Sequence, residues 1–147
     1  MKHKYSRVTP SKEVALQITR TALLSKKSVY VAITNKPIKY LYKTRSRIVY
    51  IGETRVGTKR INASAAYVSQ KILYSHGIKR LDFHLLRCTQ KQNVRMWKEL
   101  ERSLLILFRE RYGSVPLCND KGKNLSPDKF SKYFKRESLQ KILKKYS

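Results

Sequence analysis

Four side chains in this sequence have the types and placing to act on an anion. They are Tyr30 in "SVYVAIT", Tyr50 in "IVYIGET", Arg60 in "TKRIN" and Glu101 in "WKELERSLLILF". A phenol can hold or pass a proton, and a guanidinium steadies negative charge on a phosphate oxygen. A carboxylate can hold a hard cation or pair with a base. Each also has a plainer role. Tyrosines suit strands for their bulk alone, Arg60 is one of 34 basic residues, and Glu101 can be held by a neighbouring arginine.

The elements that must position these groups are legible from periodicity. Residues 28–34 and 47–52 read as strands rich in β-branched side chains. Alternation puts Val29, Val31 and Ile33 on one face and Tyr30 with Ser28 and Ala32 on the other. Likewise Val49 and Ile51 share a face, and Tyr50 lies with Ile48 and Gly52. A hairpin of the two would stand both phenols on one face, among small neighbours. Residues 58–75 carry Ile61, Ala65, Val68 and Ile72 at helical spacing, ended by Gly77, and Arg60 falls in the first turn. Residues 81–88 form a third strand. Residues 93–113 form the longest helix, capped by Asn93 and stopped by Gly113. Its buried stripe is Trp97, Leu100, Leu104 and Phe108, and Glu101 lies within it. An unpaired carboxylate on such a face costs on the order of several kcal/mol, so a salt bridge or a metal ion must answer it.

A further helix is expected over 9–24, with Thr9 as cap and Pro10 in its first turn. A tail over 125–147 begins "SPDKF" and places Phe130, Phe134, Leu139, Ile142 and Leu143 among lysines. It suits either a clamp on a duplex or a helix docked on the domain. The fold class is therefore α/β (α+β), a small sheet with helices packed on it. Three regions are expected: a basic N-terminal extension at 1–26, a central domain at 27–124 and a basic tail at 125–147.

The charge balance narrows the partners. With 34 Lys+Arg against 9 Asp+Glu, the net charge is +25. Nucleic acid is the polyanion that such a chain fits best, by counterion release. A membrane surface, reached through the tail, is a weaker candidate. No apolar run approaches the roughly 18 residues a membrane span requires, and "MKHKYSRVTP" lacks the apolar core of a signal peptide. A cytoplasmic protein with no membrane partner is expected. Cys88, Cys118, His3, His76 and His84 show no zinc-ligand spacing. The segment 35–47 interleaves Tyr40 and Tyr42 with Lys39, Lys43, Arg45 and Arg47, a composition suited to phosphate contact with base stacking, or to an exposed hairpin loop. Arg55 and Lys59, beside the second strand, join the candidate nucleic-acid contacts.

Taken in order, Tyr30 in S-V-Y, the intact Tyr50-Ile51-Gly52, Arg60 eight residues past that glycine, Glu101 in "ELERSLLILF" and Asn119 in "GSVPLCND" resemble the GIY-YIG nuclease superfamily. The S-V-Y triplet keeps only the tyrosine of G-I-Y. The resemblance spans about residues 27–124 and implies a three-stranded antiparallel sheet flanked by helices. It also implies a metal-dependent endonuclease cutting DNA, duplex above all, with one Mg²⁺ or Mn²⁺ held by Glu101 and no organic cofactor. Tyr30 would be the base at the attacking water, Tyr50 its support, Arg60 the partner of the phosphate and Asn119 a brace. Family members often carry a histidine or tyrosine one turn after the arginine. Here that position is Ser64, with Tyr67 or His76 as the expected substitutes. A nucleic-acid-binding structural protein on the same fold, without cleavage, is the alternative.

Overall fold

A computed structural model of the chain describes residues 6, 9–14, 17 and 25–147, with only the backbone of Thr58. Most of the helix expected over 9–24 lies outside the described residues; its first part, 9–14, is not helical. Strands β1 (Ser28–Lys39) and β2 (Arg45–Thr54) form a hairpin, followed by helix α1 (Thr58–Ile72), strand β3 (Leu81–Leu86) and helix α2 (Met96–Tyr112). A short 3-10 turn (Pro127–Lys129) and helix α3 (Arg136–Tyr146) complete the described chain. The sheet is antiparallel throughout in the order β2-β1-β3. The expected α+β architecture, three antiparallel strands with packed helices, is the observed one.

β1 is longer than its β-branched run. It continues through Asn35 and Pro37 to Lys39, and the hairpin closes over Tyr40–Thr44, where the Tyr40 N–H reaches the Thr44 carbonyl at 2.8 Å. Most of the long connection expected at 35–47 is thus strand. Pairing runs Tyr30 against Gly52 and Ala32 against Tyr50, then slips by one residue so that Ile33 faces Ile48. This bulge inserts Val49 and reverses the parity beyond it. Ile48 therefore joins Ile33 rather than the phenol face that strict alternation assigns it. Ile48, Val49 and Ile51 are all fully buried.

One apolar cluster joins the sheet to the helices. It includes Val29, Val31 and Ile51 of the sheet, Val68 and Ile72 of α1, and Leu100, Leu104 and Phe108 of α2. Leu139 and Leu143 of α3 belong to the same cluster, and Phe130, Phe134, Ile142 and Tyr146 pack against it. The Ser147 hydroxyl bonds Ser46 at 3.0 Å and Tyr112 at 2.5 Å. The tail is thus docked, sharing the core with residues 27–124.

α1 ends earlier than expected, with Leu73 extended after Ile72, and α2 begins after Arg95, not Asn93, whose φ is 57°. Gly113 does stop α2, at φ 83°, its N–H returning to the Arg109 carbonyl at 2.8 Å. The hairpin tip lies across it: a Cβ there would stand 2.9 Å from Leu41 Cβ and from the Tyr42 ring. Gly113→Ala combines a left-handed backbone with this overlap. We expect it to cost about 1–3 kcal/mol, read as a lowered midpoint in chemical denaturation.

Candidate active site

The phenols meet as the alternation of the strands requires. The Tyr30 and Tyr50 rings stack at 6.0 Å between centroids, inclined by 30°. Gly52, opposite Tyr30 in the ladder, has no side chain because the rings occupy its place. A Cβ built there would lie 2.6 Å from Tyr50 Cε1 and 2.7 Å from Tyr30 Cζ and Oη. Phe83 on β3 continues the aromatic surface, 6.3 Å from the Tyr30 ring.

α1 closes one side of this surface. Its start is fixed by Thr54, whose hydroxyl accepts the Gly57 N–H at 2.7 Å and donates to the Gly57 carbonyl at 3.1 Å. The helix then presents Arg60 in its first turn and Ser64 one turn later. Ser64 is buried and bonds the Tyr30 hydroxyl at 2.6 Å. Neither expected substitute takes that role. Tyr67 donates to Asp120, and His76 is exposed beside Ser75. The Tyr30–Ser64 contact was not drawn from the sequence, although the helical step from Arg60 marked the position.

Asn119 braces the strand itself. Its Oδ1 accepts the Ile51 N–H at 2.9 Å and its Nδ2 donates to the Ile51 carbonyl at 2.8 Å. The Cys118 N–H reaches the Val49 carbonyl at 2.8 Å. β2 is an outer strand, and these bonds satisfy backbone groups on its free edge that burial would otherwise orphan.

Glu101 is half-buried on α2, one turn after the buried Trp97. The four ion pairs among the described residues are Lys71–Asp120, Arg80–Asp82, Arg102–Glu99 and Arg136–Glu110. Glu101 is in none of them. Burial, and then the negative charge of Glu53, raise its carboxyl from an ordinary 4.5 to about 7, against the pull of Lys121, Lys98 and Arg60. Burial likewise pushes the Tyr30 phenol up, with Tyr50 adding to the rise; the Ser64 hydrogen bond and the Arg60 charge oppose it. The Arg60 charge is the smallest of the influences on both Tyr30 and Glu101. Glu53 was not singled out in the sequence, although it directly follows Tyr50-Ile51-Gly52 and is half-buried.

The candidate nucleic-acid contacts divide. Lys39, Tyr42, Lys43, Arg45, Arg55 and Lys59 are exposed, and Arg47 is half-buried. Tyr40 departs from expectation, being 7% exposed. Its ring meets Phe108 edge-on at 5.1 Å, and its hydroxyl donates to the Ile48 carbonyl at 2.6 Å and accepts the Leu117 N–H at 3.2 Å. It is a core strut because β1 runs on past Ile38 and turns it inward. Among the described residues no helix is long and apolar enough to cross a membrane. No group of three or more His, Cys, Asp or Glu side chains stands ready for a metal among them. Comparison with known proteins returns no matching family model, curated protein or solved structure.

Two outcomes follow from this geometry. Gly52→Ala forces both rings aside, and we expect a loss of about 1–3 kcal/mol with a changed tyrosine signal in near-ultraviolet circular dichroism. For Glu101, the folded state holds the proton more tightly than an exposed carboxyl does. Its contribution to stability is thus present below pH 4.5 and lost as pH rises toward about 7. Denaturation of Glu101→Gln against wild type should show the variant gaining relative stability across that window. A constant difference would contradict the assignment.

Proposed function

We infer that this protein is a metal-dependent DNA endonuclease of the GIY-YIG type, acting in the cytoplasm. The observation that carries the reading is Glu101: a half-buried carboxylate outside every ion pair of the described residues, in a chain with 34 lysines and arginines. A salt bridge would have answered its burial. Without one, the carboxyl keeps a proton up to about pH 7; a hard cation with oxygen ligands would take that proton's place, and the negative charge of Glu53 favours such an occupant. Glu101 would hold Mg²⁺ or Mn²⁺, which when bound polarises a phosphoryl oxygen and lowers the pKa of water.

The chain's own residues supply the rest. Hydrolysis forms a bond from water oxygen to phosphorus and breaks one from phosphorus to the leaving oxygen, with a proton moving from the water to the leaving group. Arg60, exposed at the start of α1, offsets the charge that builds on the phosphate. Tyr30 is the proposed base at the water, but it is 1% exposed and its hydroxyl is bonded to Ser64, so the substrate must first open that contact. Burial keeps that phenol protonated in the described state. Its action as base therefore depends on positive charge gathering beside Arg60. Tyr50 keeps the Tyr30 ring in place, and Asn119 holds the strand that carries Tyr50. The exposed Lys39, Lys43, Arg45, Arg55 and Lys59 suit the phosphates of a DNA duplex.

The protonated Tyr30 and the +25 charge equally suit a protein that binds nucleic acid without cutting it. One experiment separates the two readings. Supercoiled plasmid is incubated with Mg²⁺ or Mn²⁺, with EDTA, and with Glu101→Gln. The nuclease reading expects nicking that both EDTA and the substitution abolish, while binding persists. It also expects Mg²⁺ to raise the thermal midpoint of wild type above pH 7 and to leave that of the variant unmoved. Binding with no cleavage and no metal shift would establish the binding protein.

A further inference from the structure

A concave surface lies apart from the phenols, between the hairpin tip and the loop after α2. It is a groove of about 760 Å³, open to solvent, within the range of small-ligand sites. Tyr40, Leu41, Val115, Pro116 and Leu117 line it. Two of these are unusually bare for leucines, Leu41 at 72% and Leu117 at 49% exposed. Nothing about the turn requires this. The backbone there is held by the Tyr42 N–H on the Tyr112 carbonyl at 3.3 Å and by Leu41 and the Tyr42 ring packed on Gly113.

The rim is cationic. Lys39, Lys71, Arg109 and Lys123 line the groove, and the guanidinium of Arg109 is fixed by the carbonyls of Lys123 and Leu125. The lone acid of the lining, Asp120, is already engaged by Lys71 at 3.3 Å and by the Tyr67 hydroxyl. The net positive charge of the rim is therefore available to an incoming anion. Asn119 also lines the groove and, through Ile51, adjoins the strand of Tyr50.

An apolar concavity inside a ring of cations is more than the backbone of an intact duplex uses, since phosphates need only the charge. It matches a nucleotide out of its stack, with its base against leucine and proline and its phosphates on the rim. We propose that this groove binds unpaired nucleotides, so that the preferred substrate is DNA carrying an unstacked segment, such as a bubble or flap, beside the duplex. The proposal rests on the nuclease reading only for its choice of DNA.

Fluorescence anisotropy with three labelled DNAs tests it: an intact duplex, the same duplex with a four-nucleotide bubble, and a single strand. Wild type should bind the bubble about tenfold more tightly than the duplex, a factor that burial of roughly 55 Å² of apolar surface supplies. In Leu41→Ser/Leu117→Ser, exposed sites where folding is little threatened, that ratio should fall toward one. Equal binding of bubble and duplex by wild type overturns the proposal, as does a preference that survives the double substitution. An acidic, leucine-containing peptide bound by wild type and lost in the variant, with no bubble preference, assigns the groove to a protein partner and also overturns it. Metal-dependent nicking of plasmid is scored separately, so the nuclease reading stands or falls on its own result.

Discussion

The site depends on one contact, a phenol laid across a glycine. Tyr30 faces Gly52 in the ladder, and the space a Cβ would fill is taken by the rings of Tyr30 and Tyr50. A slip of one residue in the hairpin would bring Ile51 opposite Tyr30 and put the two phenols on opposite faces of the sheet. The core faces of the strands enforce the same register, since Val29, Val31 and Ile51 must reach the apolar cluster. Packing on one face thus determines which hydroxyls meet on the other. Asn119 adds to this by treating the outer edge of β2 as though another strand lay beside it.

Electrostatics single out the other half of the site. Acids are scarce in this chain, and most of those described are matched to a base or a hydroxyl at the surface, where such pairs contribute about 0–1 kcal/mol. Glu101 and Glu53 are different. They lie close enough to raise the proton affinity of Glu101, and no base contacts either in an ion pair of the described residues. Surplus charge could have been arranged to neutralise them, with lysines and arginines plentiful on every side. Negative charge kept together in this way is costly, and below about pH 7 Glu101 meets this cost by keeping its proton.

How far the sequence could be read follows from what each inference rested on. Strand alternation gave the faces of Tyr30, Val31 and Ala32 because nothing interrupts the ladder there. It failed at Ile48, since a bulge has no signature in a run of β-branched residues. Composition marked 35–47 as a basic connection, yet strand pairing carries through Pro37, and Tyr40 belongs to the core because two hydrogen bonds and two aromatic neighbours hold it inward. Glu101 was conspicuous through its place in an apolar stripe, which is a local property. Its neighbour Glu53 and the Tyr30–Ser64 bond depend on elements far apart in the chain, and no periodicity reports them. Ser64 was visible only as a position one turn past Arg60.

Trp97, the single tryptophan of the chain, stands one helical turn before Glu101 and is nearly enclosed, with the Lys27 ammonium 5.7 Å from its ring centre. An indole so placed responds to local fields through its emission. The protein thus carries a built-in optical probe beside its most unusual carboxylate. Proton loss from that group becomes observable in the unlabelled molecule.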